Sequence, residues 1–280
     1  MSGVAIIGAG LIGGSIARDL AARGVRVLVH DRDPDASAAA VADGVAALAL
    51  DASLAGIETA TTIVLAVPVG QDVAVLERIA TRAAADTLIL DTASVLVPAV
   101  TAALRLGLGD RFIGSHPLAG DHRSGWSAAR RGLFDGAKVY LCPTAATTAE
   151  RLTDARAFWS ALGATPHELG PTAHDHLLAW SSHLPQAVSS ALGLALARAG
   201  IPHHALGPGG RDVTRLAAST PDVWTPILLA NADAVAHALE AAGGAVAELR
   251  DAVMSGDSAR IATLLGEAVR WSTNRTGSGR

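Results

Sequence analysis

The chain has 280 residues, half of them hydrophobic and only 17% charged. This composition excludes a disordered chain, and the length allows two domains with substantial cores. The formal net charge is −4 and the sequence contains no cluster of Lys or Arg, so its charge pattern does not support nucleic-acid binding. The single Cys142 excludes an internal disulfide and a cysteine-based metal site.

Short apolar runs alternate with alanine-rich helical stretches over the first 170 residues. This alternation is typical of a doubly wound α/β domain with a mostly parallel sheet. Met1 leads almost directly into the first apolar run, so we expect no signal peptide and a cytoplasmic location. Strands are predicted at Val4–Ile7, Val25–Val29, Thr62–Val67, Thr87–Leu90, Phe112–Gly114, Lys138–Cys142 and Ala164–Glu168, and helices at Leu11–Arg23, Asp72–Ala84 and Thr148–Leu162.

The pattern changes at Gly170-Pro171, and no strand is predicted beyond this point. The sequence therefore predicts an α/β domain over residues 1–170 and an all-α domain over residues 171–280. The second domain is rich in apolar residues, which favours a homodimer formed through its helices. These helices are predicted at Thr172–Ala199, Pro221–Met254 and Asp257–Trp271, with a loop at Gly207–Gly210 after the first.

The first of these helices contains a proline. Pro185 removes one helical hydrogen bond, so the helix either kinks there or ends near Leu184 and restarts. Residues Leu177 to Ala197 include no Asp, Glu, Lys or Arg, but His183 and several serines favour a buried helix over a membrane span.

Three glycines follow the first predicted strand with the spacing of a dinucleotide-binding turn. Gly8 permits the tight turn, Gly10 lets a pyrophosphate approach the backbone, and Gly13 allows close packing of helix on strand. Leu11 and Ile12 open the helix, whose free N–H groups attract phosphate. The alternative is a glycine-rich turn without a ligand. The context favours a Rossmann-type fold that binds a dinucleotide.

An acidic residue ends the second strand, 18 positions after Gly13. Asp31 is placed to accept hydrogen bonds from ribose hydroxyls and to repel a 2′-phosphate, which favours NAD over NADP. Arg32 argues the other way, and Asp31 has the alternative role of helix cap, for which Asp33 is better placed. The loop at Val67-Pro68 is expected near the nicotinamide ribose.

Two further polar residues follow predicted strands. Ser94 is either a hydrogen-bond donor at the nicotinamide end or the N-cap of a helix that begins at Val97, and both roles are compatible. His116 follows the strand Phe112–Gly114, and Pro117 is expected to end regular structure there. An imidazole at a strand end is suited to proton transfer near neutral pH, although a loop histidine bonded to the backbone is the alternative.

Several motifs occur together in one order, and the combination is specific. By these motifs the chain resembles the prephenate/arogenate dehydrogenase family of tyrosine biosynthesis. The resemblance implies an NAD-dependent oxidative decarboxylation of prephenate, arogenate or both, in a homodimer. The motifs are GAGLIGGS, DTASV, GSHPLAG, HDHLLAWSSHLPQ, GRDVTRLAAS and WTPILLAN, which together span roughly residues 3 to 250.

The resemblance also implies roles for single residues. His116 would take the proton of the C4 hydroxyl, and Ser94 would bridge that hydroxyl and the nicotinamide. Arg215 would bind a substrate carboxylate, which suits a bidentate guanidinium. Arg211 is a second candidate anchor, and the alternative for both arginines is a surface ion-pair cluster in which Asp212 pairs with Arg215. His183 would line the pocket near the substrate side chain, with a core histidine as the alternative; no metal site is predicted.

The chain departs from the family pattern at three places, Leu96, His122 and Gly210. These departures affect the expected substrate more than the expected reaction class. Asp121 is a further candidate for the residue that distinguishes prephenate from arogenate. Alternatives are a dehydrogenase of a prephenate analogue in secondary metabolism, a β-hydroxyacid dehydrogenase or imine reductase, and an NAD-binding sensor. The second of these usually needs a lysine on the helical domain, whereas Lys138 is the only lysine here.

Overall fold

Eight strands form one sheet in the computed structural model, which describes residues 3–120 and 123–274. Asp121 and His122 therefore lie outside the described residues. All seven predicted strands are present, and a two-residue strand that the sequence analysis missed lies at one edge. The strands are β1 (Val4–Ile7), β2 (Val27–His30), β3 (Leu48–Ala49), β4 (Thr62–Leu65), β5 (Leu88–Asp91), β6 (Phe112–Pro117), β7 (Lys138–Pro143) and β8 (Thr165–Glu168).

The sheet has the order β3-β2-β1-β4-β5-β6-β7-β8. Every neighbouring pair is parallel except β6 and β7, which are antiparallel. The order reverses between β1 and β4, which is where a doubly wound sheet opens a crevice at the carboxyl ends of its strands. The predicted Rossmann-type, mostly parallel sheet is confirmed.

The central strands are buried on both faces, which explains why they read as continuous apolar runs. Along β1, Val4 and Ile6 pack into one core, and Ala5 and Ile7 pack into another on the opposite face. This division follows from the two-residue period of a strand. Because both faces of the sheet must be covered, helices lie on each side.

Eleven α-helices lie in the described part of the chain. The structure supports the predicted all-helical character beyond residue 170, and no helix among residues 3–120 and 123–274 is long and apolar enough to cross a membrane. The helices are α1 (Leu11–Ala21), α2 (Pro34–Ala42), α3 (Asp72–Ile79), α4 (Val97–Arg105), α5 (Ala149–Ala161), α6 (Pro171–Leu178), α7 (Leu184–Arg198), α8 (Pro208–Thr214), α9 (Pro221–Ala230), α10 (Ala232–Met254) and α11 (Ser258–Thr273).

The helix with Pro185 passes through a π-helical turn. Residues Ala179–His183 form this turn between α6 and α7, and the N–H of Leu184 donates to the carbonyl of Ala179, five residues earlier. The wider turn shifts the hydrogen-bond register just before Pro185, whose nitrogen has no hydrogen to donate. The helix therefore continues without a gap from α6 through the π turn into α7, which begins at Leu184, one residue before the proline.

The end of β6 differs from the prediction. The strand does not end at Gly114 but continues through Ser115 and His116, and it ends at Pro117, where regular structure was expected to stop. Antiparallel pairing with β7 explains the difference, because it places His116 opposite Tyr140 and Pro117 opposite Val139. The extension holds the His116 backbone in a buried sheet instead of a loop.

Two helical boundaries also differ. The long helix predicted from Pro221 to Met254 is interrupted at Asn231, whose side chain forms a hydrogen bond to Asp175. The loop predicted at Gly207–Gly210 is already helical from Pro208. The chain divides into two compact units after Ala232. The domain boundary expected at residue 170 stays a prediction.

We predict that Gly13→Ala lowers the free energy of unfolding by about 1–3 kcal/mol or more, as overpacking does. A Cβ on Gly13 would lie 1.9 Å from the carbonyl oxygen of Gly8, which is backbone and cannot move aside. Urea unfolding measures the change.

The matched control is Gly243→Ala. Both glycines lie inside helices, where alanine has the higher propensity, but nothing lies within 4 Å of the Cβ position of Gly243. We expect this variant to gain up to about 1 kcal/mol. Equal effects of the two substitutions would contradict the packing argument.

Candidate active site

The glycine-rich turn between β1 and α1 is built around close backbone contacts. Gly8 has a φ of +101°, and a Cβ there would lie 2.3 Å from the carbonyl oxygen of Ala66. Gly13 is equally constrained by Gly8. Gly10, in contrast, has nothing within 4 Å of its Cβ position. Two glycines therefore serve the packing of the turn, and the third leaves open the space that a pyrophosphate would need.

The start of α1 offers unpaired backbone donors to that space. Gly10 precedes the helix and provides no side-chain cap, and Leu11 and Ile12 form its first turn. The first N–H groups of a helix have no intrahelical partner and lie at the positive end of its dipole. The open Gly10 surface and these donors together fit the phosphates of a dinucleotide.

Asp31 lies beside the same turn, at the end of β2. Its Oδ2 accepts a hydrogen bond of 2.6 Å from the N–H of Ala9, and its Oδ1 accepts one of 2.9 Å from the N–H of Asp33. Asp33 caps α2, so Asp31 is not that helix's cap. Each carboxylate oxygen keeps a further lone pair for a ribose hydroxyl. The position fits the predicted ribose contact.

The residues expected near the nicotinamide lie at the ends of neighbouring strands. Val67 and Pro68 follow β4, with Pro68 exposed. Asp91 ends β5, and its Oδ1 accepts a hydrogen bond of 3.2 Å from the N–H of Ala93, which shapes the turn that leads to Ser94. Burial raises the pKa of Asp91 well above its usual value, and nearby Asp72 raises it further.

Ser94 and His116 line one cavity of about 530 Å³. Ser94 is not the N-cap of α4, because that helix is preceded by Leu96 and receives its cap from Asp175, a residue distant in sequence. Among the described residues, none of the side chains that line the cavity is charged at neutral pH. Its polar side chains come from Ser94, His116, Tyr140, Ser181, Ser182 and His183, and Trp224 adds an aromatic wall.

His116 begins a buried chain of hydrogen bonds. Its Nδ1 lies 3.0 Å from Nε2 of His174, and Nδ1 of His174 lies 2.8 Å from Oδ1 of Asp175. The alternative of a histidine bonded only to the backbone is therefore wrong. The two imidazole rings meet edge to face, and Tyr140 packs against the ring of His174 in the same way. The arrangement leaves Nε2 of His116 available to a substrate.

The surroundings of His116 favour the neutral imidazole. Burial, together with the smaller effect of the positive charge that His174 and His183 can carry, lowers its pKa to about 3. A neutral ring can accept a proton, whereas a charged one cannot. His116 is thus a base over the whole range near neutral pH.

His183 lines the same cavity and is held by Asn231. The amide nitrogen of Asn231 donates to the carbonyl oxygen of Asp175 at 2.7 Å, which fixes the amide orientation, and lies 3.2 Å from Nδ1 of His183. Nδ1 therefore accepts and Nε2 carries the hydrogen, for which the described part of the chain provides no acceptor. Burial lowers the pKa of His183 to about 4. The ring is buried, lines the cavity and has one unused N–H donor, and its role toward a substrate stays a prediction.

Arg211 and Arg215 lie in a different place. Both are exposed and line a second cavity of about 610 Å³, which shares no lining residue with the His116 cavity in the part of the chain that is described. Arg211 donates to the carbonyl oxygen of Leu206, and the described residues provide no ion pair between Asp212 and Arg215. The larger of these two cavities is thus not the one that His116 and Ser94 line. The substrate-binding roles of both arginines stay predictions.

The sequence analysis missed three residues of the site, namely His174, Asp175 and Asn231. The adjacent His-Asp pair at the start of α6 was the available signal, because a carboxylate beside a histidine is the usual way to hold its tautomer. Apart from the contact within the His-Asp pair, their partners lie 48 to 79 positions away in the chain, so no local pattern indicated them.

Two family models match the chain. The model described as "Prephenate dehydrogenase, nucleotide-binding domain" matches residues 16–167, and "Prephenate dehydrogenase, dimerization domain" matches residues 170–267. The chain belongs to the prephenate dehydrogenase family. The resemblance found in the motifs is thereby confirmed, and with it an NAD-dependent dehydrogenase.

Relatives of known name agree with the family. The chain is 32% identical to the prephenate dehydrogenase of Bacillus subtilis over 83% of its own length and 65% of that protein's length. It is 34% identical to the cyclohexadienyl dehydrogenase of Zymomonas mobilis over 91% of its own length and 89% of that protein's. The crystal structure of prephenate dehydrogenase from A. aeolicus, solved with hydroxyphenyl propionate and NAD+, has a TM-score of 0.90 at 28% identity, with 97% of each chain covered.

The low pKa values of His116 and His183 predict that the free energy of unfolding of this chain decreases at acidic pH. The unfolded chain takes up protons near pH 6.5, whereas the folded chain takes them up near pH 3 to 4 at these two positions. Folding stability is therefore present above pH 6.5 and is lost as the pH falls toward 4. We expect each histidine to contribute a slope of about 1.4 kcal/mol per pH unit in that window.

Urea unfolding of wild type, His116→Gln and a control between pH 7 and 4.5 tests this slope. His116→Gln should remove one of the two contributions. The control His176→Gln alters an exposed histidine on the same helix as His174 and should leave the slope unchanged. An unchanged slope in His116→Gln would contradict the burial argument.

Proposed function

We propose that this chain catalyses the NAD-dependent oxidative decarboxylation of a cyclohexadienol dicarboxylate, namely prephenate, arogenate or both. The supporting observation is that Ser94 and a neutral His116, whose Nδ1 is already engaged by His174, line one cavity. The cavity has the size range of small-molecule sites. The family and the fit of the glycine turn to a dinucleotide support the same reaction.

His116 is the general base in this proposal. Its Nε2 accepts the hydrogen bond of the C4 hydroxyl and takes the proton as the C4–O bond gains carbonyl character. Bound NAD supplies the acceptor for the hydride that leaves C4. The bond between the ring and its carboxylate breaks, CO2 departs, and the electron pair of that bond makes the ring aromatic. The proton on His116 then returns to the phenol oxygen, whose pKa is near 10, so the imidazole ends neutral.

Ser94 and His183 orient the substrate. The Ser94 hydroxyl can accept and donate, which suits a position between the C4 hydroxyl and the cofactor. His183 offers its unused Nε2–H to a substrate oxygen. A cavity without charged lining residues strengthens each of these hydrogen bonds, because the local dielectric is low.

A homodimer formed through the helices of residues 171–280 is part of the proposal. The match to a dimerization domain over residues 170–267 supports it. So do exposed apolar side chains within residues 233–274, where Val246 is 70% exposed, Met254 80% and Trp271 84%. The cytoplasmic location stays a prediction.

Absorbance of NADH at 340 nm, with prephenate or arogenate and with NAD or NADP, tests the reaction. We expect turnover with NAD and at least one substrate. His116→Asn should lower kcat by about 10²–10⁴-fold, since general-base catalysis contributes that much, with little change in NAD affinity. The matched control His167→Asn, at an exposed histidine of β8, should keep wild-type kcat. Absence of turnover under all four combinations would refute the proposal.

Arg215→Gln tests whether Arg215 binds a substrate carboxylate. Loss of hydrogen bonds to a charged group costs about 1.5–3 kcal/mol, so we expect the substrate KM to rise about 10- to 100-fold with kcat within about threefold. Arg198→Gln, at another exposed arginine of the helical region, is the control and should not change KM. An unchanged KM in Arg215→Gln would remove Arg215 from the substrate site, in line with its position in the second cavity.

A further inference from the structure

We propose that His174 and Asp175 are positioning residues that keep the proton of His116 on Nδ1 and so leave Nε2 as the base. This inference rests on the proposed function for its catalytic consequence, but the location of the proton can be measured without any substrate. Neither residue touches the cavity.

The location of the proton follows from counting donors and acceptors. The carboxylate of Asp175 only accepts, so the hydrogen between it and His174 lies on Nδ1 of His174. Nε2 of a neutral His174 then has only a lone pair. The contact of 3.0 Å between this Nε2 and Nδ1 of His116 therefore requires the hydrogen to lie on Nδ1 of His116.

The chain of bonds is anchored at its far end. Asp175 accepts hydrogen bonds from the backbone N–H groups of Leu96 and Val97, both at 2.9 Å, so it also caps α4. These donors occupy the carboxylate and hold it in place. His174 is fully buried and Asp175 is 4% exposed, so water does not compete for either group.

The same carboxylate positions both parts of the reaction centre. Ser94 lies just before the capped helix, and His116 lies at the other end of the histidine pair. Asn231 adds a third connection through the backbone carbonyl of Asp175. Asp175 thus relates the base and the serine through its side chain, and His183 through its backbone carbonyl.

His174→Phe and His174→Gln distinguish positioning from packing. Phenylalanine fills the volume of the ring but accepts no hydrogen bond. Glutamine can donate its amide hydrogen to Asp175 and accept from Nδ1 of His116 with its oxygen, because Asp175 determines the amide orientation. His176→Phe, at an exposed position two residues later, is the control.

Proton-detected ¹⁵N spectra of histidine-labelled protein without substrate provide the first readout, with His116→Asn used to assign the signal. We expect Nε2 of His116 to be the unprotonated nitrogen in the wild type and in His174→Gln, and the tautomers to mix in His174→Phe. A wild-type His116 protonated on Nε2 would overturn the proposal. The wild-type spectrum shows which nitrogen of His116 carries the proton, even if His174→Phe does not fold or if no substrate is turned over.

Steady-state kinetics with prephenate and NAD provide the second readout. We expect His174→Phe to lower kcat about 10- to 1000-fold, with KM and NAD affinity within about twofold. His174→Gln should recover at least tenfold of that loss, and His176→Phe should match wild type. Wild-type kcat in His174→Phe would overturn the positioning role, and equal losses in both His174 variants would assign His174 to packing alone.

Discussion

The carboxylate of Asp175 is the contact on which the arrangement of this site depends. It lies on α6, yet its partners are the backbone at the start of α4 and the ring of His174. A buried carboxylate costs free energy unless donors satisfy it, and here three N–H groups do so. Two of these donors, Leu96 and Val97, follow Ser94, and the third belongs to His174, which contacts His116, so one buried carboxylate links the backbone after Ser94 to the ring beside His116.

The cofactor side of the sheet depends on a different constraint, which is the close approach of backbones. Gly8 and Gly13 have no room for a Cβ because β1, β4 and α1 meet there. The open surface at Gly10 is a consequence of the same turn. Asp31 ties the turn to the end of β2 through the N–H of Ala9, so the turn predicted to bind phosphate and the acid predicted to bind ribose belong to one hydrogen-bonded unit.

The residues that local patterns could indicate were found where expected. The glycine turn and the acid follow β1 and β2, the histidine is the penultimate residue of β6, and the carboxyl ends of parallel strands meet at one edge of a sheet. The errors arose where a distant partner overrides a local preference. β6 runs three residues past its predicted end at Gly114 because β7 pairs with it, and Ser94 is not a helix cap because Asp175 takes that role. The predicted helix breaks at Asn231, whose amide binds Asp175 and His183.

The sequence by itself determined the sheet, its alternation with helices and the glycine-rich turn, and it indicated His116 as the candidate base. These features depend on short-range periodicity and on glycine, which act within about ten residues. Only the tertiary structure decided which nitrogen of His116 is free, that His183 keeps an unused donor, and that Arg211 and Arg215 line another cavity. Such features depend on hydrogen bonds and packing between residues that are far apart in the chain, and the pattern of neighbouring residues does not predict them.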